Sequence, residues 1–149
     1  MTPTIRQALL ADVPAVEHVV YEAYKHYIPR IGKPPGPMTN DYYEQVASGS
    51  VWVLVLDSEI VGVVVLVPAS DYMVLDNVAV APEKQGLGLG RRLIDFAEAR
   101  ARQSGYGIIQ LYTNELMHEN LDLYVKLGYR ETSRRFDSGF KRVFMKKTL

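Results

Sequence analysis

The chain has 149 residues, enough for one domain that buries roughly 70% of its unfolded surface in a single core. Its 17 basic and 17 acidic residues cancel, which argues against a nucleic-acid binder held by cationic excess. Cysteine is absent, and His18, His26 and His118 show no metal-ligand spacing, so disulfides, cysteine nucleophiles and thiolate metal sites are excluded and no metal is expected.

The first residues lack the basic segment and apolar run of a signal peptide, and no apolar stretch reaches membrane-spanning length. A single cytoplasmic domain over residues 1–149, without membrane or nucleic-acid partners, is the expectation.

Residues 4–8 read as a short first strand. Asp12 and Pro14 mark a helix start, and Val16, Val19, Val20 and Ala23 give an apolar stripe that predicts a helix to about Tyr27. Tyr21, Tyr24 and Tyr27 recur at helical spacing on it. The proline- and glycine-rich residues 29–37 cannot continue a helix. They form either the wall of a substrate pocket or a plain crossover. Thr39 or Asn40 is expected to cap a short helix that ends at Val46.

Residues 51–56 and 60–67 are dense in valine and leucine and predict a hairpin of two buried strands around Asp57-Ser58-Glu59. Residues 73–80 form the next strand, with Asp76 and Asn77 as polar interruptions. The helix from about Gly88 to Gly105 should turn Leu89, Leu93, Phe96 and Ala97 to the core and leave Arg92, Glu98, Arg102 and Gln103 outside. A strand at 108–113 follows. A helix leads from Met117 to Leu127, with Leu123 and Leu127 expected to face the core, and 129–136 and 140–147 close the chain as a hairpin. The fold class is therefore mixed α/β, ordered β-α-α-β-β-β-α-β-α-β-β, with one central mixed sheet of about seven strands and helices on both faces.

The chemistry gathers around Gln85-Gly86-Leu87-Gly88-Leu89-Gly90-Arg91. Alternating glycines let the backbone approach a ligand and point N–H groups into one concavity, at the positive end of the next helix. Arg91 and Arg92 oppose that dipole by ~0.3–1 kcal/mol each unless an anion is bound. No Gly-Lys-Ser/Thr ends the loop, so it is no P-loop, and its third glycine comes too early for G-x-G-x-x-G. It fits instead Q/R-x-x-G-x-G/A, preceded by Val78-Ala79-Val80 and Pro82.

With these residues stand Asn120-x-x-x-Tyr124-x-x-Leu127-Gly128-Tyr129 and the early run Tyr27-x-Pro29-Arg30-x-Gly32-x-Pro34-x-Gly36-Pro37-Met38. Together, over nearly the whole length, they resemble the GNAT superfamily of acetyl-CoA-dependent N-acetyltransferases. The resemblance implies that main-chain N–H groups from Gln85 to Arg91 hold the pyrophosphate of coenzyme A. It implies that the strand around Val78, Ala79 and Val80 pairs with the pantetheine arm, that Asn120 contacts that arm, and that Tyr124 gives a proton to the departing sulfur.

A phenol of pKa about 10 suits that donor role. An amine acceptor needs a base or water chain, for which Asp76 and Glu119 are the carboxylate candidates; the residues alone leave open whether either is simply paired or solvated. Tyr24, Tyr27, Arg30 and Asp76 are the candidate acceptor-binding residues. Two other readings stay open: a non-catalytic acyl-CoA-binding or sensor domain on the same fold, and a nucleotide or polyanion binder. A homodimer is expected from family habit and from a C-terminal hairpin at the sheet edge.

Overall fold

Valine- and leucine-rich runs set the centre of the sheet. Strands β2 (Val51–Leu56) and β3 (Glu59–Pro68) pair antiparallel through Asp57 and Ser58, whose φ values of 52° and 64° suit a two-residue type I′ turn. Val61, Val63, Val64, Val65 and Leu66 are all buried regardless of parity, so both faces of β3 are covered. The structure is a computed structural model that describes residues 2–149. Its seven strands form one mixed sheet in the order β1-β2-β3-β4-β5-β7-β6, with β1 at Thr4–Gln7, β4 at Met73–Val80, β5 at Ile108–Asn114, β6 at Arg130–Asp137 and β7 at Phe140–Thr148. By contacts the chain divides into two compact units, one of residues up to Leu66 with Asn77–Ala97, the other of Val67–Asp76 with Glu98–Leu149.

In the first unit, α1 (Val13–Tyr24) buries Val13, Val16, Val19, Val20, Ala23 and Tyr24. The helical path does not stop before Pro29, as the sequence suggested. A 3-10 turn, Lys25–Tyr27, leads into a short helix α2 (Ile28–Ile31) with Pro29 in its first turn, where a missing N–H costs no helical bond. Helix α3 (Tyr42–Ala47) is capped by Asp41 rather than by Thr39 or Asn40. The Asp41 carboxylate accepts from the Glu44 N–H at 3.1 Å, while the Thr39 hydroxyl is committed to Gly36 O at 3.0 Å.

Helices cover both faces of this unit. The Asn77 side chain meets Tyr24 of α1 and Tyr42 of α3. Val80, three positions on and so on the other face, lies by the first turn of α4 (Leu89–Gln103), 3.9 Å from where a Cβ at Gly90 would sit. Gly62 lets α4 approach β3: a Cβ there would stand 3.0 Å from Leu93 Cδ1.

In the second unit β5 pairs in parallel with Met73–Leu75 of β4 and antiparallel with β7, and β6 pairs with β7 across the Ser138–Gly139 turn. Glu98, expected outside, is 5% exposed. It continues the stripe Ile94, Ala97, Ala101 and is satisfied by the Tyr129 hydroxyl at 2.9 Å and Lys147 Nζ at 3.0 Å. Leu123, expected in the core, is 38% exposed. In α5 (His118–Lys126) the buried position belongs to Tyr124, seven residues after buried Met117 and so on the same helix face.

Candidate functional site

The glycine loop begins where β4 ends. A 3-10 turn, Pro82–Lys84, is followed by extended Gln85 and then by Gly86 and Gly88 at φ 84° and 76°, a left-handed geometry that only glycine adopts without strain. A Cβ at either glycine would meet nothing within 4 Å, so there is open space beside both. The first helical bond runs from Arg92 N–H to Gly88 O at 3.1 Å. The N–H groups of Leu89, Gly90 and Arg91 therefore belong to the first turn, ahead of the helical ladder. No acidic residue stands in that turn to balance the dipole. Leu87 is 62% exposed at its tip. Backbone donors, a helix N-terminus and nearby cations are the chemistry an anion needs, and such a set fits the pyrophosphate of coenzyme A.

The strand before it offers a polar edge. Ala81 N–H donates to Val61 O at 2.8 Å, so by alternation the main-chain groups of Val78 and Val80 point away from β3. The Val78 carbonyl accepts from the Tyr24 hydroxyl at 2.9 Å, and the Val80 carbonyl accepts from Gln85 Nε2 at 3.2 Å. The same Tyr24 proton is shared with Asn77 Oδ1 at 2.7 Å, Asn77 Nδ2 donates to the Tyr42 hydroxyl at 3.1 Å, and Tyr42 donates to Pro37 O at 2.6 Å. This buried relay joins α1, β4, α3 and the proline-rich loop. Sequence reasoning noticed Asn77 only as a polar interruption and missed Tyr42; a lone amide inside a valine strand was the available signal. Tyr27 and Arg30 lie together, the guanidinium 5.0 Å above the ring.

In the second unit Asn120 and Tyr124 share a face of α5, as their spacing predicts. Asn120 Nδ2 lies 3.6 Å from Met117 Sδ, and the Tyr124 ring packs edge-on against Tyr129 at 5.7 Å. Glu119 is exposed, on the turn that opens the helix. Asp76 accepts from the Tyr112 hydroxyl at 2.9 Å, a partner the sequence did not suggest. Burial first, and the Asp76 carboxylate second, push the Tyr112 phenol up to about 12. Burial and the Glu98 carboxylate likewise push Tyr129 far above its ordinary range. Within its unit the structure brings Tyr24 to the Val78 edge and Gln85 to Val80. Among the described residues no group of three or more histidine, cysteine or carboxylate side chains could hold a metal.

Residues 47–131 match the family model described as an acetyltransferase (GNAT) domain. The chain is 29% identical over 103 residues to N-acetyltransferase 8F1 of Rattus norvegicus, covering 65% of this chain and 47% of that protein. It is 26% identical over 137 residues to the Escherichia coli protein named Uncharacterized N-acetyltransferase YjgM, covering 86% and 82%. The chain thus spans about half the length of the rat relative. Among solved structures, the PaiA N-acetyltransferase of Thermoplasma acidophilum in complex with coenzyme A superposes with a TM-score of 0.83 at 17% identity over the full length of both chains. A GNAT family acetyltransferase from Elizabethkingia anophelis with acetyl-CoA bound gives 0.75 at 20% identity, covering 99% of this chain and 98% of that one.

Proposed function

The chain belongs to the GNAT acetyltransferase family, and from that membership we propose that it moves the acetyl group of acetyl-CoA to a primary amine of a small molecule or peptide. The observation that carries this reading is the loop of left-handed Gly86 and Gly88 at the start of α4, with Arg91 and Arg92 in a first turn that holds no acid. The relatives' names and the coenzyme-bound neighbours support it.

Acetyl-CoA supplies an activated thioester acetyl group. In this reading the N–H groups from Gln85 to Arg91 bind its pyrophosphate, and the main chain of Val78, Ala79 and Val80 holds its pantetheine arm with Asn120. The Val78 N–H is the donor for a developing oxyanion. Tyr124 holds the proton for the departing sulfur, and Asp76 or Glu119 takes one from the acceptor ammonium. Tyr24 is assigned to positioning of the β4 edge, since its hydroxyl is committed to Asn77 and Val78; Tyr27 and Arg30 are assigned to the acceptor side.

Both units are read as one domain, because the chain passes between them inside β3, β4 and α4 rather than in linkers. A cytoplasmic location is part of the proposal; among the described residues no helix is long and apolar enough to cross a membrane. A homodimer through the C-terminal hairpin would have to use β6, an edge strand of the sheet whose Arg130, Arg134 and Arg135 discourage edge pairing.

The test has two arms. Acetyl-CoA, ATP and RNA are titrated separately against thermal unfolding, and thiol release from acetyl-CoA is followed over a panel of amines, polyamines, amino acids and peptides. A midpoint rise with acetyl-CoA and amine-dependent release are expected. A rise with ATP and none with acetyl-CoA sinks the coenzyme assignment, and a rise without turnover leaves a binding or sensor domain.

A further inference from the structure

The second unit presents two unlike sheet faces. Ile109, Leu111 and Thr113 of β5 and Val143, Met145 and Lys147 of β7 point to one, where Lys147 meets Glu98 of α4 and Thr113 meets Met117 at the start of α5. Tyr112, Phe144 and their neighbours point to the other, which neither helix of this unit touches through those residues.

On that second face the register sets cations opposite cations. Arg130 faces Lys146 and Arg135 faces Arg142 across β6 and β7, on either side of the Ser133–Phe144 pair. Like charges directly opposite on one face repel. The carboxylates of the face are Asp137, 3.2 Å from Arg142, and Asp76, held by Tyr112. Four cations thus meet two carboxylates in a chain whose formal charge is zero. Arg135 donates to the Ser133 hydroxyl at 2.8 Å and lies 3.7 Å over the Phe144 ring, and no carboxylate stands within ion-pair distance of it among the described residues. Arg142 lies 4.3 Å over the Tyr112 ring, whose hydroxyl holds Asp76. One phenol therefore separates a carboxylate suited to an ammonium from a paired guanidinium site suited to an oxyanion.

We propose that this face recognises the acceptor, and that the acceptor is an amine that also bears an oxyanion group, bound by Arg135 and Arg142 while Asp76 faces its ammonium. The inference rests on the acetyltransferase reading and adds the substrate class to it. Phe144 and Tyr112 hold the two guanidiniums in place; each keeps N–H groups beyond the one that Arg135 gives to Ser133 and the one that Arg142 gives to Asp137, and these are offered to the anion. The same chemistry fits a carboxylate or a phosphate, and matched acceptors separate the two.

The experiment uses the full chain with acetyl-CoA and pairs of acceptors differing in the anion: amino acids against their decarboxylated amines, peptides against their C-terminal amides, and phosphoethanolamine against ethanolamine. The anionic member of at least one pair is expected to show a kcat/KM some ten-fold or more above its neutral partner. Arg135→Gln, at an exposed position, should raise KM for that acceptor about ten-fold with little change in KM for acetyl-CoA, and Arg142→Lys should act in the same direction. Preference for the carboxylate pairs assigns a carboxylate, and preference for phosphoethanolamine a phosphate. Equal or better turnover of neutral amines overturns the anion assignment and leaves the acetyltransferase reading standing, as does Arg135→Gln without effect on the acceptor KM. Acetyl-CoA binding with no turnover of any anionic acceptor also overturns it. Failure of the acetyl-CoA thermal shift itself marks failure of the underlying reading instead.

Discussion

The hydroxyl of Tyr24 lies 2.7 Å from Asn77 Oδ1 and 2.9 Å from Val78 O, so the single phenol proton on α1 is shared between a buried amide and the edge of β4. Asn77 is 4% exposed inside a strand of valines, where an unsatisfied amide oxygen loses its hydration without replacement. Tyr24→Phe removes the donor and leaves both acceptors in place. The expected loss of stability is about 1–3 kcal/mol, read from urea unfolding. Tyr42→Phe, which breaks the next link of the relay, should couple with it by at least ~0.5 kcal/mol in a double-mutant cycle. Strict additivity would mean that the relay is two separate contacts.

The three loop glycines should respond differently to alanine. Gly86 and Gly88 have open space around them but left-handed backbones, so a methyl group there brings strain and no clash, about 1–2 kcal/mol each. Gly90 is helical, its added Cβ would sit at an ordinary 3.9 Å from Val80 Cγ2, and alanine is the better helix former. Gly86→Ala and Gly88→Ala should lower the thermal midpoint and weaken its rise with acetyl-CoA, while Gly90→Ala should hold the unliganded midpoint or raise it. A Gly90→Ala protein as destabilised as Gly88→Ala would contradict the loop geometry.

Tyr112 gives a pH signature. Its phenol is held up at about 12 in the folded chain, against about 10 for a free tyrosine. The folded state then binds this proton more tightly than the unfolded one. Its contribution to stability is whole below pH 10 and is lost as pH rises toward 12. A spectrophotometric titration should find a late-ionising phenol that Tyr112→Phe removes. Asp76→Asn should move its midpoint down but not back to 10, because burial, the largest single cause, remains. An unmoved midpoint in Asp76→Asn would break the Asp76–Tyr112 pairing.

Local signals carried most of the fold. Val51–Leu56 and Met73–Val80 lie where β-branched runs and flanking turn residues put them. What failed depended on distant partners. Glu98 looks like a surface residue until Lys147, 49 positions away, folds over it. Thr39 looks like a cap until its hydroxyl turns back to Gly36. The Asp76–Tyr112 pair depends on β4–β5 register, which no local pattern specifies. The Arg135–Arg142 pair turns on one residue: strands 129–136 and 140–147 around a three-residue loop would set Arg135 opposite Lys141, whereas the two-residue turn at Ser138–Gly139 pairs Asp137 with Phe140 and so Arg135 with Arg142.

Tyr124 is the residue on which the catalytic assignment turns. It is 9% exposed, packed on Tyr129, and shares its helix face with Asn120. A purely structural tyrosine in that position would lose only its hydroxyl contacts on mutation to phenylalanine, at about 0.5–1.5 kcal/mol and with the ring packing preserved. A proton donor would instead lose turnover. Tyr124→Phe should therefore lower kcat by about 10²–10⁴-fold, the range for removal of a positioned general acid, with the acetyl-CoA-induced rise in thermal midpoint retained. The basic limb of the pH–rate profile adds a second readout: a phenol donor must be protonated, so activity in the native enzyme should fall as the phenol ionises at high pH. Near-normal kcat in the phenylalanine variant would assign Tyr124 to packing and leave the sulfur to be protonated by water.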